Sequence, residues 1–224
     1  MYPVPKIKEL FDLSHTIASP LFEGKNYAWE VLSEIEGYIL ALGPSLPKDE
    51  FYTPDGCENV WIAKDAKVAP SAYIGSPCII DHGAEVRHCA FVRGSAIVGK
   101  GAVVGNSTEL KNVILFDNVE TPHYNYVGDS ILGWHAHMGA GAITSNIKAD
   151  RKNIVFHGES EIETGRRKIG AILGDYAEIG CNCVLNPGTI VGPHTNVYPL
   201  SSVRGVVPAN SIYKSKENIV PKEG

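Results

Sequence analysis

The chain has 224 residues, of which 44% are hydrophobic, and a formal net charge of −5. Hydrophobic content of this order is ordinary for a folded core, and the acidic balance argues against general nucleic-acid binding. The N-terminus lacks the apolar run of a signal peptide and no segment is long enough to span a bilayer, so a cytoplasmic protein with no membrane partner is expected. Five cysteines, odd in number and without CxxC spacing, read as reduced thiols; Cys181-x-Cys183 lacks a clear third ligand, so no metal is expected.

Residues 1–59 show no six-residue period. Within them Ala28, Leu32, Ile35, Ile39 and Leu42 fall at helical spacing, and Gly43-Pro44 supplies a stop. Such a helix needs an apolar partner. These residues are therefore read as a helical N-terminal cap over the open first coil of a repeating region that begins near residue 60.

From Ile62 the chain advances in sixes: Ile62, Val68, Ile74, Ile80, Val86, Val92, Val98, Val104 and Leu110 lead successive hexads. Small residues such as Ala66, Ala72, Cys78, Ala84 and Ala90 follow four places later. In a helix a step of six scatters side chains over several faces, whereas in extended chain an even step keeps them on one. A chain that bends at each hexad turns all the aliphatics toward one axis, which predicts a parallel β-helix of three-sided coils. After Leu115 the period fails, and 116–126, with a proline and polar residues, reads as a loop leaving the coil. The pattern resumes at Val127. Residues 144–168 break it again with Lys148, Arg151, Lys152, Arg166, Arg167 and Lys168, a basic patch suited to phosphate oxygens. Leu173, Ile179, Leu185, Val191, Val197 and Val203 then lead six more hexads. The expected body is thus a β-helix over 60–208 with loops at 116–126 and 144–168, followed by an extended C-terminal tail at 209–224.

TPHYNYVGDS followed by MGAGAITSN resembles the acetyltransferase half of the bifunctional bacterial and archaeal enzymes that make UDP-N-acetylglucosamine. The resemblance covers about residues 60–214 and runs without a gap from Arg93 to Lys152. It implies a mainly β fold, a left-handed parallel β-helix of hexapeptide repeats. It also implies a homotrimer whose sites are shared between chains, and N-acetylation of an amino-sugar 1-phosphate (glucosamine or galactosamine) by acetyl-CoA. His123 matches the general base of an H-x-x-Y-[IV]-G-D motif. Arg93, Lys111, Tyr126 and Lys152 match residues that hold the sugar phosphate, with Glu109 beside them. Ala140, Asn146, Cys181 and Lys214 match the acetyl-CoA side, although Cys181 replaces a serine. His137 stands where the bacterial enzymes have asparagine, and Ile147 replaces a tyrosine. Because 59 residues cannot hold a nucleotide-binding α/β domain, this stretch is not expected to carry uridyl transfer.

The residue types suit the chemistry. An amine attacks a thioester only when unprotonated, histidine is the side chain that accepts protons near neutrality, and a backbone N–H such as that of Ala140 can meet the oxyanion. Two other classes of function remain open at this level. One is a non-catalytic trimer that binds sugar phosphate or CoA. The other is a γ-carbonic-anhydrase-like zinc enzyme, for which His82, His88, His135 and His137 give no recognisable three-ligand pattern. Outward-facing Ile79, Ile97 and Val103 are expected to be buried between neighbouring chains.

Overall fold

The computed structural model describes residues 2–157 and 161–223. They form a left-handed parallel β-helix of three faces. The first face runs from Val60–Ala63 through Cys78–Ile80 and Ala96–Val98 to Val206–Val207. The second runs from Lys67–Val68 through Glu120–His123 to Ser211–Ser215, and the third from Tyr73–Ile74 to Ser202–Val203. Two longer strands, Glu109–Leu115 and Tyr126–Leu132, pass from the third face onto the first. Hexad leaders line the axis. Those from Ile80 onward are buried, whereas Val68 and Ile74 of the first coil are only half-buried.

The coil length explains where the period fails. Ile80 pairs with Val98, eighteen residues on, but Val98 pairs with Leu115 and Leu115 with Leu132, each seventeen on. One residue is lost at each corner between the third and first faces, so Lys111-Asn112 and Gly128-Asp129 make shortened turns. Residues 116–126 are therefore not a loop leaving the coil. Glu120–His123 is a strand of the second face, paired with Val103–Asn106 and His137–Met138. Its leader is Thr121, which hid the hexad because it is polar; it is fully buried and its hydroxyl donates to the Val103 carbonyl at 3.1 Å.

Residues beyond Thr144 do leave the coil. Thr144 pairs with Leu185 across 41 residues, where Tyr126 and Ile143 are 17 apart, an excess of 24. The excursion holds an antiparallel pair, Val155–His157 with Glu161–Glu163, and closes through a bridge between Ile147 and Lys168. The C-terminal segment is likewise no free tail: Ser211–Ser215 and Asn218–Pro221 form an antiparallel pair that extends the second face.

The N-terminal segment packs along the first face, and its last strand reaches the edge of the first coil. It contains short 3₁₀ turns, a 3₁₀ helix at Ala28–Ser33 and one α-helix, Ile35–Leu42. The helix lies on strands Ala96–Val98 and Glu109–Leu115, and the 3₁₀ helix on Tyr126–Leu132. Phe11 and Phe22 pack on Phe116 with ring centres 5.0 and 5.9 Å away, and the Leu32 carbonyl accepts from Asn112 Nδ2 at 3.0 Å. The outward isoleucines Ile79, Ile97, Ile114 and Ile131 are fully buried as a result. Ile79 and Ile97 are thus covered by their own chain and need no neighbour. At the edge of the first coil, Phe51–Tyr52 pairs antiparallel with Val60–Ala63 and closes it.

Leu32, almost fully buried in this seam, tests the packing. Leu32→Ala is expected to lower stability by about 2–5 kcal/mol, the usual range for a core truncation. Urea unfolding should stay a single transition, because segment and solenoid share one core; separate transitions would refute the shared core.

Candidate active site

The edge between the second and third faces carries a column of site residues. Gly141 N donates to the His123 carbonyl (3.0 Å), Asn182 N to Ala140 (2.8 Å) and Leu200 N to Cys181 (2.9 Å). His123, Ala140 and Cys181 therefore occupy the same corner in consecutive coils. The residue after each, Tyr124, Gly141 and Asn182, takes positive φ, as does Leu200 one coil further. Left-handed corners recur throughout the solenoid, so this backbone is a property of the fold and not a mark of the site.

Asn125 locks the corner. It is buried, and its Nδ2 donates to the carbonyls of Gly139 (2.9 Å) and Ala142 (3.0 Å), while Oδ1 accepts from His123 N (3.1 Å). The turn bearing His123 is thereby tied to the turn bearing Ala140. The His123 ring itself is exposed to solvent. The Ala140 N–H donates to no group among the described residues, which leaves it available to an incoming oxyanion. Lys214 stands in register with Tyr198 near the same edge of the last coil, its ammonium 5.9 Å from the Tyr198 ring centre.

The opposite edge of the third face gathers most of the remaining site residues. Arg93 Nη1 donates to Glu109 at 2.9 Å, and Lys111 Nζ to Asp129 at 3.2 Å. Glu109 therefore pairs with Arg93 of the preceding coil, not with Lys111. Asp129 is nearly fully buried at a left-handed corner and also accepts from Asn112 (3.0 Å) and Asn146 (2.6 Å). Asn146 donates a second bond to the Tyr126 hydroxyl at 3.2 Å. Burial, with Asp129 and then Glu109 nearby, pushes the Tyr126 phenol above its ordinary range, so it stays protonated. Gly128 lies close beneath this pair: a Cβ there would fall 2.5 Å from the Tyr126 hydroxyl and push it aside.

Three residues fall outside both groups. Lys152 is exposed on the excursion, in a shallow depression with Lys148, His157, Glu161 and Glu163, and does not join Arg93 and Lys111. His137 lies on the second face, its Nδ1 3.0 Å from Glu178 Oε2. Ile147 is exposed beside the basic cluster. Asp129 and Asn125, which organise the two edges, were overlooked in the sequence because each holds other residues and neither bears a reactive group. The carboxylate after Val-Gly in the motif was the available signal. His82 and His88 occupy different edges, and His82 is held by Asp65 (3.0 Å) and Glu50 (3.1 Å). Among the described residues no three His, Cys, Asp or Glu side chains are placed to hold a metal.

The His137–Glu178 bond raises the histidine pKa above its usual 6.5. Its contribution to stability is therefore complete below the unfolded value and is lost as pH rises through the raised folded value. Half-exposure of both partners keeps it small. In Glu178→Gln the His137 titration followed by NMR should move to lower pH; an unmoved titration would show that the pair does not form in solution.

A left-handed β-helix with a histidine–amide column on one edge and a cation–carboxylate cluster on the other defines the class. Residues 76–219 match the family described as the GMPPB C-terminal domain, and the chain belongs to that family. The bifunctional protein GlmU of Methanococcus maripaludis is 31% identical over 118 residues, 52% of this chain and 29% of that protein. The bifunctional sugar-1-phosphate nucleotidylyltransferase/acetyltransferase of Sulfurisphaera tokodaii is 31% identical over 109 residues, 48% of this chain and 27% of that protein. The match thus covers less than a third of the length of these two bifunctional relatives. Among solved structures, the polySia-specific acetyltransferase NeuO is 13% identical over 70% of this chain and 80% of that one, with a TM-score of 0.48. The acetyltransferase domain of PglB from Neisseria gonorrhoeae, solved with acetyl coenzyme A, is 17% identical over 71% and 56%, with a TM-score of 0.28. No helix of the described residues is long and apolar enough to cross a membrane.

Proposed function

We propose that this chain transfers acetyl from acetyl-CoA to the amine of an amino-sugar 1-phosphate, with His123 as general base. The observation that carries the reading is the column of His123, Ala140 and Cys181, in which Asn125 ties the His123 turn to the Ala140 turn and a free amide lies one coil from an exposed imidazole. In this reading the His123 ring takes a proton from the sugar ammonium, and the freed amine attacks the thioester carbonyl. The oxyanion is met by the Ala140 N–H. Collapse breaks the C–S bond, and the nitrogen's remaining excess proton goes to the departing thiolate, directly or through the histidine. Arg93, Lys111 and Tyr126 bind the sugar phosphate, while Asn146, Cys181 and Lys214 contact the acyl donor; Lys152 adds a cation from the excursion. The Sulfurisphaera tokodaii relative, named as a sugar-1-phosphate nucleotidylyltransferase/acetyltransferase, supports a sugar-phosphate substrate.

The histidine column and the cation cluster lie on opposite edges of the third face. In this reading a homotrimer joins them by setting the histidine edge of one copy against the cation edge of the next. Purified protein, acetyl-CoA and glucosamine-1-phosphate or galactosamine-1-phosphate should give a product heavier by one acetyl group in the mass spectrometer. No product from either sugar would refute the assignment and favour a non-catalytic binding trimer.

A further inference from the structure

The excursion after Thr144 builds a cavity that the acetyl-transfer reading does not use. It encloses about 670 Å³ and is lined by Lys148, Arg151, Arg166, Arg167 and Lys168, with Asp129 the one carboxylate on its wall. Asp129 is already held by Lys111, Asn112 and Asn146, and it is one negative charge against five positive ones. Lys148 pairs with Asp150 at 3.4 Å; the other four cations form no ion pair among the described residues. The Arg166 Nε is buried and makes no hydrogen bond among them. Like charges held this close repel, and a buried guanidinium N–H without an acceptor is costly, so the arrangement is relieved by a multiply charged anion.

Lys148 also lines a neighbouring cavity of about 580 Å³. Its wall is apolar, formed by Ile154, Phe156, Val206, Tyr213 and Ile219, with Arg204 and Lys216 at its rim. A monophosphate would leave this cavity empty and satisfy only part of the first. From the sharing of Lys148 we infer that the two cavities together form a site for a nucleoside diphosphate, the phosphates among Arg151, Arg166, Arg167 and Lys168 and the nucleoside on the apolar wall. Because this binding needs neither His123 nor Ala140, it stands apart from the acetyl-transfer reading.

Calorimetric titration of the full chain with ADP, GDP, UDP and pyrophosphate tests it. At least one nucleoside diphosphate should bind about tenfold or more tightly than pyrophosphate, since the apolar wall contributes only to the former. Arg167→Ala/Lys168→Ala removes two exposed side chains, so it should fold normally and weaken nucleotide binding by about tenfold or more, the low end for losing a charge-assisted hydrogen bond. Ile219→Ser should weaken nucleotide but not pyrophosphate binding. Acetyl-CoA that displaces the nucleotide one for one identifies the nucleotide end of the acyl donor as occupant; simultaneous binding identifies a separate nucleotide or nucleotide sugar. Pyrophosphate binding as tightly as every nucleotide, or an unchanged affinity in Arg167→Ala/Lys168→Ala, would overturn the site.

Discussion

His123→Ala is expected to lower the turnover number for acetyl transfer by about 10²–10⁴-fold, the usual contribution of a positioned general base. The Michaelis constant for acetyl-CoA should change little, because in the proposed reading the donor lies along Ala140 and Cys181 and not on the His123 ring. Stability should also be unaffected. The ring is exposed, and the hydrogen bonds of this turn run through the His123 backbone and Asn125, which alanine leaves in place. The variant thus separates chemistry from fold. Equal turnover in both proteins would remove His123 from the mechanism while leaving the β-helix untouched.

Gly105→Ala is expected to be the most damaging added methyl among the described glycines. A Cβ at Gly105 would lie 1.6 Å from the Pro122 carbonyl oxygen and 2.0 Å from its carbon. Both atoms belong to backbone in the adjacent coil, so no rotamer change relieves the clash. Overpacking usually costs about 1–3 kcal/mol, and contact with immovable backbone places this case at or beyond the upper end. Pro122 immediately precedes His123, so the displaced coil also carries the base away from Ala140, and acetyl transfer should fall with stability. Gly37→Ala provides the contrast: Gly37 sits in helix Ile35–Leu42 with nothing within 4 Å of an added Cβ. There the substitution should stabilise by about 0.4–1 kcal/mol. Urea midpoints of the two variants should move in opposite directions. A Gly105→Ala protein with wild-type midpoint and activity would mean that the coils are not stacked as described.

The β-helix was legible in the chain because its order is local: a bend every six residues repeats the same inward aliphatic and small corner residue, whatever lies elsewhere. The motif around His123 was legible for a similar reason, since His123, Tyr126, Gly128 and Asp129 share one short stretch of strand and corner. Reading failed where a coil dropped a residue or led with a buried threonine, as at Thr121, because polarity and period both pointed away from the core. What only the tertiary structure decided is which surfaces meet. Ile79 and Ile97 look the same in sequence whether a neighbour or the N-terminal segment covers them, and their burial within one chain is a long-range outcome. Likewise Glu109 and Lys111 are sequence neighbours, yet their charges are claimed by Arg93 and Asp129 of the coils on either side. Stacking brings residues 16 to 18 apart within bonding distance, and spacing along one strand does not reveal which of them will pair.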